Sequence, residues 1–139
     1  MSGLANATRE RGLLAPRAGN AKALLRELLR LLDDLAAGGT GGSIDLMSMP
    51  FAQADYEEMR DVLGVGAIDA RLEALGESRV QETRYPGIWW VRHCNEDRET
   101  VAELIEVCDV PSILRAPAAD VVYAAAQLRQ VLEAQARSG

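Results

Sequence analysis

Lysine is almost missing from this chain, which holds Lys22 and no other, and His93 is its sole imidazole. Two cysteines, Cys94 and Cys108, are too few in 139 residues for a disulfide framework. No stretch approaches the roughly 20 apolar residues that a bilayer-spanning helix needs. The first twenty residues carry charge where a signal peptide would have its apolar segment. Together these absences predict a cytoplasmic protein in a reducing compartment, with no membrane insertion.

What is present describes an ordinary folded protein. The hydrophobic fraction is 48% and the charged fraction 26%, and the length suits one domain with a real core. The net charge of −6 is unevenly spread. Up to Leu32 there are six basic residues (Arg9, Arg11, Arg17, Lys22, Arg26, Arg30) against two acidic ones, and from Asp33 onward nine basic against nineteen acidic. An acidic body excludes general nucleic-acid binding, which needs a basic footprint to displace counterions. The basic lead-in reads as a solvated arm.

Residues 1–19 show no sustained period and are expected to form a flexible N-terminal arm; 20–139 are expected to form a single α+β domain. From Asn20, a candidate N-cap, Leu25, Leu28, Leu32 and Leu35 trace a helical stripe that stops at Gly38-Gly39. A short strand is predicted over Ile44–Met49, ended by Pro50, and a second helix over Gln53–Leu63 with Gly64 after its last turn. The period then changes to two: Ile68, Ala70, Leu72 and Ala74 alternate with Asp69, Arg71 and Glu73. Further strands are predicted at Arg79–Arg84, Ile88–Cys94 and Val101–Val110. A closing helix follows over Pro117–Ala136, with Val121, Ala125, Leu128 and Leu132 as its seam. Short connections make the strands an antiparallel meander, so the predicted architecture is a sheet of four to five strands with three helices.

Several motifs invite chemistry and fail on geometry. The Gly38-Gly39-Thr40-Gly41-Gly42 cluster runs from helix to strand, whereas a phosphate loop runs from strand into a helix N-terminus, and no lysine follows it. His93 and Cys94 are neighbours on a strand and point to opposite faces, so they cannot converge on one metal ion. If the hairpin turns near Asp97, Cys94 lies opposite about Thr100, which leaves Cys108 far beyond disulfide reach. Glu57, Glu58, Asp61, Glu103 and Glu106 read as solvated carboxylates. No catalytic, cofactor-binding or metal-binding residues emerge, and the chain reads as a non-enzyme.

Trp89 and Trp90 are different. Strand alternation sends them to opposite faces, and helices can easily cover only one face of a small sheet. One tryptophan therefore belongs in the core. The other requires cover from elsewhere in the chain, a second copy or a partner, and tryptophan is a favoured interface anchor.

The stretches ETRYPGIWWVRHCN (Glu82–Asn95) and ELIEVCDVP (Glu103–Pro111) resemble the C-terminal conserved region of the HupH/HyaF family of hydrogenase expression/formation proteins. The likeness extends back through IDLMSMPFAQADYEEMRDVLGVGAIDARLEALG (Ile44–Gly76) and forward into the closing helix, covering about 120 of the 139 residues. Gly87, Trp89, Trp90, Val91, Asn95, Glu106, Val107 and Pro111 match the family pattern. The resemblance implies an accessory role in assembling an uptake nickel–iron hydrogenase, acting as a holding factor on the precursor of the iron–sulfur small subunit. It also implies a thioredoxin-like companion. Partner binding is expected around Trp89, Trp90, Arg92, Tyr85, Asn95 and Glu106, in a homodimer formed through the sheet. The competing expectations are a thiol-redox or metal-transfer protein using Cys94 or Cys108, and a structural dimerisation domain.

Overall fold

The computed structural model describes residues 19–138, so the arm expected over 1–19 lies outside the described residues apart from Gly19. The described residues fall into two compact units that divide between Asp109 and Val110. The first holds two helices, α1 (Asn20–Ala36) and α2 (Gln53–Leu63), and five strands. The strands are β1 (Gly42–Asp45), β2 (Asp69–Ala74), β3 (Gly76–Glu82), β4 (Ile88–Cys94) and β5 (Thr100–Val107). The second unit is a 3-10 turn, Ser112–Leu114, followed by α3 (Ala118–Ser138), and no residue of α3 is buried.

The sheet order is β1-β5-β4-β3-β2 with every pair antiparallel. Strands β2 to β5 form the predicted meander, and β1 returns to the far edge beside β5. Among the described residues the fold is α+β, three α-helices with a five-stranded open sheet. Alternation assigns the faces: Ile88, Trp90 and Arg92 of β4 share one face with Ile105 and Val107 of β5, which α1 and α2 cover. Leu24, Leu28 and Leu31 of α1, with Met59 and Leu63 of α2, close this core. Each such leucine, fully buried, contributes about 1.5–3 kcal/mol.

The helices begin at a shared anchor that periodicity could not foretell. Asn20 is not the N-cap of α1; that position is Gly19, in the left-handed region at φ 108°. The capping acceptor comes from α2 instead. Asp55 Oδ1 accepts from the Gly19 and Ala21 amides at 2.8 and 3.3 Å, while Oδ2 accepts from Ala52 at the head of α2 at 3.1 Å. One carboxylate thus satisfies orphan donors at two helix starts. Burial pushes the Asp55 pKa up, but the backbone donors of Ala52, Gly19, Ala21 and Asn20 outweigh it and hold the pKa below its ordinary value.

Several boundaries differ from the pattern-based expectation, two of them for a clear local reason. The first strand ends at Asp45 rather than Met49, because the Asp45 carboxylate accepts from Met47 N–H at 2.9 Å and turns the chain into a 3-10 turn. Strand β3 starts at Gly76, three residues early: Ala74 pairs with Gly76, leaving Leu75 alone at the tip. Gly76 sits at φ 120°, and a Cβ there would strike the Cys94 carbonyl. Strand β5 ends at Val107 rather than Val110.

The glycine cluster after α1 also has a structural task. Asp34 Oδ2 accepts from the Gly41 amide at 3.1 Å, and Gly41, at φ 72°, lies so close to Val107 that a Cβ would run into its carbonyl. The loop wraps the protein's own carboxylate and delivers β1 against β5. Cys94 pairs with Thr100 as the hairpin reading requires, and no disulfide joins Cys94 to Cys108.

Candidate functional site

The helix-covered face changes character along β4. At Ile88 it is apolar, at Trp90 mixed, and at Arg92 cationic. Two depressions follow from this gradient.

At the apolar end, the middle of α1 and the last turn of α2 leave a groove of about 250 Å³. It is lined by Leu25, Leu29 and Leu32 along α1, Val62 on α2, and Tyr85 from the β3–β4 turn. Leu29 is 56% exposed, and Val62 and Tyr85 each 39%. Tyr85 is held there by Thr83, whose hydroxyl donates to the Ile88 carbonyl at 2.9 Å and accepts from the Tyr85 amide at 3.2 Å.

At the cationic end, Arg60, Arg79, Gln81, Trp90 and Arg92 surround a cleft of about 260 Å³. The Arg60 guanidinium lies over the Trp90 ring, 4.2 Å from its centroid, a cation–π arrangement. Trp90 Nε1 donates to Glu103 Oε2 at 2.8 Å, and the same oxygen is 3.7 Å from Arg60. Glu103 is buried rather than solvated as its sequence position led us to expect, because the indole N–H and the guanidinium supply partners that water would otherwise provide. Tyr56 stands nearby; burial first, then the Glu103 charge, pushes its phenol pKa up. Arg79 holds Asp69 through two bonds of 3.1 and 2.8 Å, and this pairing keeps the Asp69 carboxyl below its usual range.

The expected partner-binding residues do not form one patch. Trp90 and Arg92 meet in the cationic cleft, and Tyr85 belongs to the apolar groove. Trp89 and Glu106 lie on the opposite face, directly across from each other in register. Asn95 shapes the β4–β5 turn: its Oδ1 accepts from the Asp97 and Glu99 amides at 2.9 and 3.0 Å. Neither tryptophan stands exposed as an anchor: Trp89 is 3% and Trp90 6% exposed, so of the covers left open by the sequence both find theirs within the chain. Each indole N–H is also spent inside the fold, Trp89 Nε1 donating to the Cys108 carbonyl at 3.2 Å. Glu106 has one carboxylate oxygen, Oε2, buried without a hydrogen-bond partner.

Sequence reading missed Arg60 and Arg79. The available signal was their pairing: Arg79 lies directly opposite Arg92 on the neighbouring strand, which the meander register predicts once the turns are placed. His93 Nδ1 and the Ser78 hydroxyl are 2.7 Å apart across β3 and β4 on the other face. Among the described residues no three His, Cys, Asp or Glu side chains gather as metal ligands, and no helix is long and apolar enough to cross a membrane.

Residues 18–135 match the family model for the HupH hydrogenase expression protein, C-terminal conserved region. The chain belongs to the HupH family. It is 32% identical over 117 residues to the hydrogenase expression/formation protein HupH of Rhodobacter capsulatus, covering 83% of this chain and 42% of that protein. It is 29% identical over 91 residues to the hydrogenase-1 operon protein HyaF of Escherichia coli, covering 66% of this chain and 32% of that one. The solved structure of the hydrogenase expression protein HupH from Thiobacillus denitrificans superposes with a TM-score of 0.80 at 38% identity, covering 84% of this chain and 98% of that chain. The chain thus spans about two fifths of the length of the HupH relative from Rhodobacter capsulatus, and it is the family's C-terminal conserved region that carries both depressions.

Proposed function

We propose that this chain is a hydrogenase-assembly accessory factor that works by binding rather than by catalysis, and that it holds the unexported precursor of the iron–sulfur small subunit. The observation that carries this reading is the apolar groove between α1 and α2. Leu25, Leu29, Leu32, Val62 and Tyr85 present a contiguous hydrophobic trough on a chain that is otherwise acidic. A trough of this kind suits a hydrophobic stretch of an incompletely assembled polypeptide, and an exposed apolar patch marks an interaction site rather than ordinary surface. We place the protein in the cytoplasm, where unexported precursor is found, as a homodimer with a thioredoxin-like companion.

The test is binding of the purified chain to small-subunit precursor, with the mature subunit alongside. Preferential capture of the precursor is expected, and Leu29→Asp or Val62→Asp should abolish it, since a carboxylate in the trough must be desolvated by any apolar occupant. Equal capture of both forms, or capture indifferent to both substitutions, would sink the proposal.

A further inference from the structure

We infer that the cleft formed by Arg60, Arg79, Gln81, Trp90 and Arg92 is a receptor for a carboxylate, and that its occupant is an acidic peptide segment of the protein held. The identity of the occupant rests on the holding role above; the carboxylate chemistry does not.

The first observation is an arrangement that folding alone disfavours. Arg79 and Arg92 are directly paired on adjacent strands and share one face, and like charges placed opposite each other weaken a sheet. Arg60 adds a third guanidinium from α2, fixed in place by its stacking on Trp90. Three converging cations in a chain of net charge −6 are a local exception, and such exceptions concentrate where a ligand supplies the missing charge.

The second observation concerns which of these groups are already committed. Asp69 occupies Arg79 with a two-bond fork. Glu103 is the direct cross-strand neighbour of Arg92, yet its carboxylate turns to the Trp90 N–H and toward Arg60. Among the described residues Arg92 is left with no ion pair and no side-chain hydrogen bond, a planar five-donor group facing a cleft with nothing to bind. The Gln81 amide, one residue pair away opposite Trp90, adds a neutral donor on the same wall.

Charge and size select the ligand. Three arginines against Asp69 and Glu103 leave one net positive charge, which matches a monocarboxylate better than a phosphate dianion. A cleft of about 260 Å³ has room for an acidic side chain and its neighbour. The acidic body around it excludes a nucleic-acid strand. Arg–carboxylate recognition is geometrically specific because the guanidinium fork matches the two oxygens.

The experiment is calorimetric titration of the full chain with a capped tetraglutamate peptide, with capped tetraglutamine and inorganic phosphate in parallel. Tetraglutamate should bind saturably and weaken as salt rises, while tetraglutamine should not bind. Arg92→Gln should weaken tetraglutamate by about tenfold or more, the loss expected for removing a charged bidentate donor. Arg26→Gln, on the exposed side of α1, should leave the affinity unchanged. Circular dichroism melting establishes that Arg92→Gln is folded; should it melt early, Arg60→Gln, whose side chain is exposed, carries the same comparison. Undiminished affinity in a folded cleft variant, or no saturable binding of tetraglutamate at low salt, overturns the inference. Phosphate that binds as tightly as the peptide and is equally lost in Arg92→Gln overturns the carboxylate assignment. Precursor that fails to bind while tetraglutamate still does would strike down the holding role and leave this site standing.

Discussion

The two ends of the helix-covered sheet face are built from the same strand and differ in everything but backbone. Ile88, Trp90 and Arg92 lie two residues apart on β4 and point the same way, yet the first is sealed under α1 and α2 while the last lines an open cationic cleft. Helix coverage, not strand pattern, makes the difference. Trp90 is the joint between the two regimes, with its ring in the apolar core and its N–H on Glu103. Alternation along a strand says which face a residue takes; it does not say where on that face cover runs out.

Removing the joint should damage both ends. Trp90→Ala leaves a core cavity, a Glu103 carboxylate without its indole donor and an unsupported Arg60. We expect a loss of about 3–5 kcal/mol in urea unfolding, the range for truncating a buried aromatic. A loss under about 1 kcal/mol would mean that the two ends are independent.

Asp55→Ala should separate the ends. The carboxylate anchors both helices of the groove, whereas the cleft takes only Arg60 from α2 and its other walls from β3 and β4, so precursor binding should fall more than tetraglutamate binding. Stability should drop by about 2–3 kcal/mol, since buried amides at two helix starts lose their acceptor. The pH dependence has a definite sign. Because the folded pKa is depressed, the Asp55 contribution is complete above the ordinary value of 3.8 and is lost as pH falls through the lower folded value. Wild type and variant should therefore converge in stability on acidification below that point, and a constant gap down to the acid transition would contradict this assignment.

Glu103→Gln probes the boundary more gently. The amide oxygen can still accept from Trp90, so destabilisation should stay near about 1 kcal/mol. Burial and the Glu103 charge both raise the Tyr56 phenol, so removing the charge should bring its titration back toward the ordinary value, followed by ultraviolet absorbance. The smallest effect belongs to the groove rim. Leu29→Ala, at a side chain 56% exposed, should alter stability by about 0.5 kcal/mol or less and still weaken precursor capture.

The fold could be read from residue patterns to a considerable depth. The change of period near Ile68, the Pro86-Gly87 turn and the alternation of β4 led directly to the meander, and β4 and α2 came out with the observed limits. What patterns could not supply was interaction between distant residues. The Asp55 carboxylate caps a helix start 36 positions away in sequence, and no local rule reaches that far. The site was readable only in part for the same reason. Arg92, Trp90 and Tyr85 were singled out on β4 and its turn, but Arg60 joins them from another element and Arg79 through strand register. Glu103 looks like a surface acid until its indole partner is placed.

An open sheet has two raw edges, and this one closes both to further growth. β1 is four residues long, bounded by the sharp bend at Gly41 and the 3-10 turn that starts at Leu46, too short a template for another strand to zip onto. β2 alternates Asp69, Arg71 and Glu73, so an incoming strand meets charge at every second position. For the holding role proposed above, which would bring the protein against unfinished chains, edges that refuse strand addition are an asset. They also direct the search for the proposed homodimer contact to the faces of the sheet rather than to its edges.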